Sequence, residues 1–436
     1  MDDGKEYIRS RIKDKPVDKK KFLMRIGMAL ILGVMFGLVA AVSYTAGVYH
    51  LENTVYQPPV REVVISDEGD EEDEVVLGQD EAAPAQIKEA ESEAKPDEAA
   101  NPEAEPVLTG TDTSTYEKFY GDLHDVAVSA SRSILPVYAV TEDADWFSDS
   151  VESSRGGSGL VIADNRRELL ILVDRNIIMN SNQIKVSLPD GTAVSATEKK
   201  FDPYTGMAII GVPIADISDD VMEEIIPASL GTSSGDVILG KPVIAIGSPL
   251  GISDSFSYGV VTSSSKMIQK PDEQLQLLTT DMYGSKNGSG VLVNLKGQTM
   301  GIITQDEFDD IDMKDLICAY GISDMKSAIE RMANGRDKAY LGIYGTDVSS
   351  EAQKDLSIPQ GVYITAIEVD SPAMDCGIQS GDVITSFGTK EIKSFSDFET
   401  VMEKSQPGDE AVITVKRAAR NGYSEMTFSV ILGVVK

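Results

Sequence analysis

A mainly β protein of two successive modules is what this 436-residue sequence predicts, and three features carry the prediction. Between residues 116 and 304 short β-branched runs recur, each closed by Gly, Pro, Asp or Ser, the spacing of an all-β barrel or sandwich. A second, shorter series of such runs fills residues 340–436, interrupted by one amphipathic helix-like stretch, FSDFETVMEK. Ahead of both lie an apolar segment and an acidic one that have neither pattern.

Residues 1–25 are rich in Lys and Arg, and residues 26–49 carry no charge. A bilayer core needs about 20 mostly apolar residues, so 26–49 is expected to be one transmembrane helix. It is longer than the apolar region of a cleaved signal peptide, roughly 7–15 residues. The basic flank predicts a cytoplasmic N-terminus, with the bulk of the chain extracytoplasmic. Residues 50–115 are dominated by Pro, Ala, Glu and Asp; within them, 62–105 hold 17 Asp and Glu against two Lys. So little apolar area cannot offset chain entropy, which predicts a disordered, self-repelling acidic linker.

The first folded module is expected over residues 116–335, with strands at SILPVYAV, GSGLVIAD, LLILVD, IKVSLPDG, MAIIGV, KPVIAIGSP, YGVVTSS and VLVNLKGQTMGIIT. A helix over 323–332 closes it, with Gly335 suited to the C-terminal cap. The second module, 340–436, has strand-like segments at 360–367, 409–417 and 426–432, and Pro372 opens a short helix. A net charge of −32 argues against nucleic acid as a partner, because phosphate contacts need a basic surface. Two cysteines, Cys318 and Cys376, fall in different modules and read as inert thiols, too few for a disulfide framework or a cysteine-rich zinc site. The acidic run 306–312, DEFDDID, reads as a solvated hairpin, so no metal site is expected.

The stretch YGSKNGSGVLVN, residues 283–294, has three glycines and small polar residues between two apolar runs. Such a turn presents amide N–H groups and a hydroxyl at one point, as acyl-transfer sites do. It resembles the nucleophile loop of HtrA/Deg-family serine proteases, which runs GNSGGPLVN. Further stretches resemble the same family in the same order: GSGLVIADNRRELLILVDRNII, FDPYTGMAIIGV, VIAIGSPLGISDSFSYGVVTSS and CAYGISDMKSAIERM. The resemblance implies a trypsin-like double β-barrel followed by a PDZ domain. It implies no cofactor, and it implies trimers as a form of homo-oligomer.

Carried over residue by residue, the catalytic pattern breaks. The family's histidine position falls on Asn176 and its aspartate position on Gly206. Anchoring on VLVN puts Gly288 at the serine position, whereas a loop one residue shorter puts Ser289 there. A serine hydroxyl needs a base to take its proton and return it to the leaving amine, and an asparagine amide does not titrate. In a worked serine protease, loss of the nucleophile or the histidine costs roughly a million-fold in turnover. The expectation is therefore a pseudoprotease; Lys286, Asp281 or Asp174 would be a non-standard base if Ser289 were active. In a PDZ module, loop amides before an edge strand hold a peptide's terminal carboxylate. Tyr340, Leu341, Gly342 and Ile343 match that loop, and Phe398 and Met402, four apart on one helix, either line the groove or pack the core. Polypeptide C-termini or unfolded proteins are the expected partners. A purely structural envelope module is the reading that needs no ligand.

Overall fold

A computed structural model describes Met28, Met35 and residues 60–65, 113–140, 155–234, 238–304, 315–420 and 422–435. It divides after Pro59 into two units. Of the first, only Met28 and Met35 are described, both helical. The predicted membrane span otherwise lies outside the described residues, among which no helix is long and apolar enough to cross a membrane. The acidic run 306–312 and nearly all of the predicted linker also lie outside them.

Helix α1 (Thr113–Ser131) leads into two closed barrels. The first comprises β1 (Ile134–Val140), β2 (Arg155–Asp164), β3 (Glu168–Asp174), β4 (Gln183–Ser187), β5 (Ala193–Asp202) and β6 (Met207–Pro213), in the order β1-β2-β3-β6-β5-β4. The second comprises β7 (Pro242–Ser248), β8 (Ser255–Lys270), β9 (Glu273–Tyr283), β10 (Ser289–Val293), β11 (Thr299–Thr304) and β12 (Leu316–Gly321). It repeats that order as β7-β8-β9-β12-β11-β10. Two short helices, α2 (Arg175–Ile178) and α3 (Asp219–Glu224), belong to the first barrel. This is the double barrel that the resemblance implies, where the strand spacing alone left a barrel or a sandwich open.

Alternation along the strands divides the core. In β6, Ala208, Ile210 and Val212 fill the first barrel, while Met207 and Ile209 face the other way. They meet Ile244, Ile246, Val291 and Ile302 of the second barrel, so the seam between barrels is itself a core. Strands buried on both faces read as continuous apolar runs, which is why LLILVD and MAIIGV lack a polar alternation.

Helix α4 (Ile322–Ala333) lays Ile322, Met325, Ile329 and Met332 onto that seam. It ends as its sequence predicts: Gly335 adopts φ 65°, its N–H donates to the Met332 carbonyl, and the Arg336 N–H donates to that of Arg331. The described part of the predicted linker departs from expectation. Residues 60–65 dock against this helix, with the Val63 amide donating to the Asn334 side chain at 3.0 Å and the Ile65 amide to Glu330 at 3.0 Å. Val63 is buried. Val63 and Ile65 supply the apolar contact that the acidic remainder lacks, while Val60 and Val64 stay exposed.

The C-terminal domain contains β13 (Ala339–Tyr340), β14 (Ile343–Asp347), β15 (Val362–Ile367), β16 (Val383–Phe387), β17 (Lys390–Glu391), β18 (Glu410–Ala419), β19 (Gly422–Ile431) and β20 (Gly433–Val434). Its main sheet runs β14-β15-β16-β18-β19, leaving β14 at an edge. Helices α5 (Ser350–Asp355), α6 (Pro372–Cys376) and α7 (Phe395–Lys404) complete it. The Ser371, Ser394 and Ser349 hydroxyls each cap one of them.

Candidate active site and peptide groove

Ser289 opens β10, where it pairs with Ser248 of β7. Its Oγ is buried and accepts a hydrogen bond from the Ser158 amide at 3.0 Å. The Ser158 hydroxyl in turn lies 2.8 Å from that of Ser248. Three hydroxyls thus meet at the seam between the barrels. The cavity beside Ser289 measures about 10 Å³, about the least that holds one water. Asp174, Met207 and Leu172 line it as well.

The loop before Ser289 turns tightly. The Gly288 N–H donates to the Ser285 carbonyl at 2.7 Å, and the Ser285 N–H to the Pro249 carbonyl at 3.1 Å. A side chain at Gly288 would meet the Pro249 carbonyl oxygen at 2.6 Å. The Gly288 amide is therefore spent inside the turn.

Asn176 sits in α2, where the Asp174 carboxylate caps its amide at 2.8 Å, and Asn176 is exposed. Its neighbour Ile177 is the one that turns inward. A Cβ placed on Gly157 would lie 2.1 Å from Ile177 Cδ1 and 2.9 Å from Ser289 Oγ, so an apolar side chain occupies the space beside the hydroxyl. Gly206 adopts φ 68° in the turn before β6, and its carbonyl accepts the Arg175 amide at 2.8 Å. Of the two histidines, His50 lies outside the described residues, and His124 lies on α1 with its ring against Phe256. The other candidate bases are placed differently. Lys286 is exposed, and Asp281 accepts the Val260 amide at 2.8 Å. Ser158, Ser248 and Ile177 were not singled out by sequence; the GSG and IGSP glycines flanking the two serines were the available signal.

In the C-terminal domain Tyr340, Leu341, Gly342 and Ile343 form the bend from β13 into β14. Gly342 has φ 87°, and a Cβ there would strike Ser371 Cβ at 2.3 Å, so only glycine fits. The Leu341, Gly342 and Ile343 amides converge on one point, occupied by the Asp272 carboxylate from the β8–β9 turn. Burial pushes the Asp272 carboxyl up, against the pull of these amides and of Lys338. Phe398 and Met402 face inward from α7 and are buried with Phe387, Phe395 and Ile343 in the domain's core. The Cys318 thiol is buried and pushed up to about 11, whereas Cys376 is half-buried, its thiol also raised by burial.

Two family models match the chain. The trypsin-like peptidase domain covers residues 157–302 and the PDZ domain residues 339–431. The chain is similar to the serine protease Do-like HtrA of Lactococcus lactis subsp. lactis, with 23% identity over 69% of this chain and 77% of that one. It is 28% identical to the mitochondrial serine protease HTRA2 of Drosophila grimshawi over 69% and 72% of the respective chains. Among solved structures, an HtrA-type protease, AlgW, with a tripeptide shares the fold at a TM-score of 0.52 and 20% identity, over 72% of this chain and 97% of that one.

Proposed function

From its membership of the HtrA/Deg family, with a trypsin-like peptidase domain followed by a PDZ domain, we propose that this chain is a pseudoprotease that binds polypeptides through its PDZ domain. The observation that carries the reading is the surroundings of Ser289. Its hydroxyl accepts an amide N–H from Ser158, and the buried Ile177 side chain lies on the same side of Gly157 as that hydroxyl. Asn176 and Gly206 supply neither a base nor a carboxylate to orient one.

Peptide binding is supported by the amides of Leu341, Gly342 and Ile343 converging beside an edge strand, the arrangement that adds a peptide as an extra strand and holds its carboxylate. The uncharged segment 26–49 after a basic flank supports anchoring in a membrane with both domains outside the cytoplasm. Exposed Tyr116, Phe119 and Tyr120 on α1, beside Phe256 and Tyr258, support self-association, which the mass of the protein in solution would test.

An active endopeptidase is the second reading, favoured by Asp174, which lines the same small cavity as Ser289. A serine-reactive phosphonate probe separates the two. The pseudoprotease leaves it unreacted, and labelling that disappears in Ser289→Ala establishes the enzyme. Peptides with free and amidated C-termini test the binding half: the free carboxylate is expected to bind and the amide not to.

A further inference from the structure

The contact between Asp272 and the PDZ cradle has the form of a ligand complex. Both carboxylate oxygens are used: Oδ2 accepts from Leu341 at 2.7 Å and Gly342 at 2.8 Å, and Oδ1 from Gly342 and Ile343 at 3.0 Å. Its own backbone N–H donates to the Ile343 carbonyl at 2.8 Å. Two residues on, the Gln274 side-chain amide donates to the Gly345 carbonyl at 2.8 Å. Carbonyls two apart on an edge strand are those an added strand would use. The Gln274 backbone N–H donates to Glu399 of α7 at 2.7 Å. An ordinary interdomain ion pair would have used the nearby ammonium, but Lys338 pairs with Glu273 instead. Asp272 is moreover held at φ 62°, a left-handed conformation in which a glycine would be unstrained.

We infer that the β8–β9 turn is a built-in pseudo-ligand of the PDZ groove, Asp272 standing in for a peptide's terminal residue, which a polypeptide with a free C-terminal carboxylate must displace. The inference rests on the peptide-binding reading above and adds a competition to it. One carboxylate cradle cannot hold two carboxylates, so the apparent affinity is reduced by the fraction of molecules whose cradle is already filled. An amidated C-terminus, lacking the charge that the amides hold, gains nothing from an emptied cradle.

Asp272→Gly removes the carboxylate and suits the left-handed turn, so the barrel strands on either side keep their register. Fluorescence anisotropy of the full-length chain with labelled decapeptides ending in Val, Leu or Phe, each as free acid and as amide, reads the competition. Asp272→Gly is expected to tighten binding of the free acids by about tenfold or more and to leave the amides unchanged. Equal binding of the free acids by both proteins overturns the pseudo-ligand while leaving peptide binding standing. No binding by either protein overturns both.

Discussion

The amide of Gly342 donates to both oxygens of the Asp272 carboxylate, at 2.8 and 3.0 Å, across 70 residues of sequence. The two residues belong to different domains, and this contact, with Gln274 on Glu399 and Ser327 on Glu403, fixes how the domains meet. Docking should therefore respond to changes in these acidic groups.

Glu399 gives the response a sign. Burial raises its carboxyl from 4.5 to about 7, Asp324 and Glu403 add to the rise, and the Gln274 amide and Lys338 oppose it. Asp324 and Asp272 are also pushed up by burial. A carboxyl whose docked value exceeds its free value takes up a proton on docking. Its contribution is whole below about pH 4.5 and is lost as pH rises through about 7. Free-acid peptide binding should accordingly strengthen between about pH 5 and about pH 8, and Glu399→Gln should flatten that rise. A profile that is flat in the unaltered protein, or as steep in Glu399→Gln, contradicts the assignment.

Ser289 has a structural role. Ser289→Ala leaves the buried Ser158 amide without its acceptor, and is expected to lower unfolding stability by about 1–2 kcal/mol in urea denaturation. An unchanged midpoint would show that another group takes over that amide.

Restoring the family's residues at two positions should not restore catalysis. Residue 176 is exposed, Ile177 holds the space beside Ser289, and residue 206 is left-handed, which strains an aspartate by about 1–2 kcal/mol. The double variant Asn176→His with Gly206→Asp is predicted to stay inactive on casein. Activity in that variant would mean that side-chain identity alone, not the closed geometry, was lost.

Phe398 distinguishes groove lining from core. It is fully buried against Phe387 and Phe395, so Phe398→Ala should destabilise the C-terminal domain by about 3–5 kcal/mol. Calorimetry showing normal stability with weakened peptide binding would return it to the groove.

The strands, the linking helix with its Gly335 cap and the cradle around Gly342 were legible because apolar period, capping residues and glycine turns are local signals. The segment 60–65 was not, because its few apolar residues sit inside an acidic stretch and the partners Glu330 and Asn334 lie far along the chain. At the candidate site the sequence showed what was missing at Asn176 and Gly206. It did not show that Ile177 turns into the first barrel's core, or that Ser158 holds Ser289, which depends on the two barrels meeting. The pairing of Asp272 with Gly342 had no local signal at all, an Asp after a Pro in a hairpin being ordinary turn chemistry.

The most direct test is casein digestion by the full-length protein purified free of other peptidases, with Ser289→Ala run beside it. Pseudoprotease status predicts identical, background-level rates for the two. Cleavage by the unaltered protein that vanishes in Ser289→Ala would contradict it.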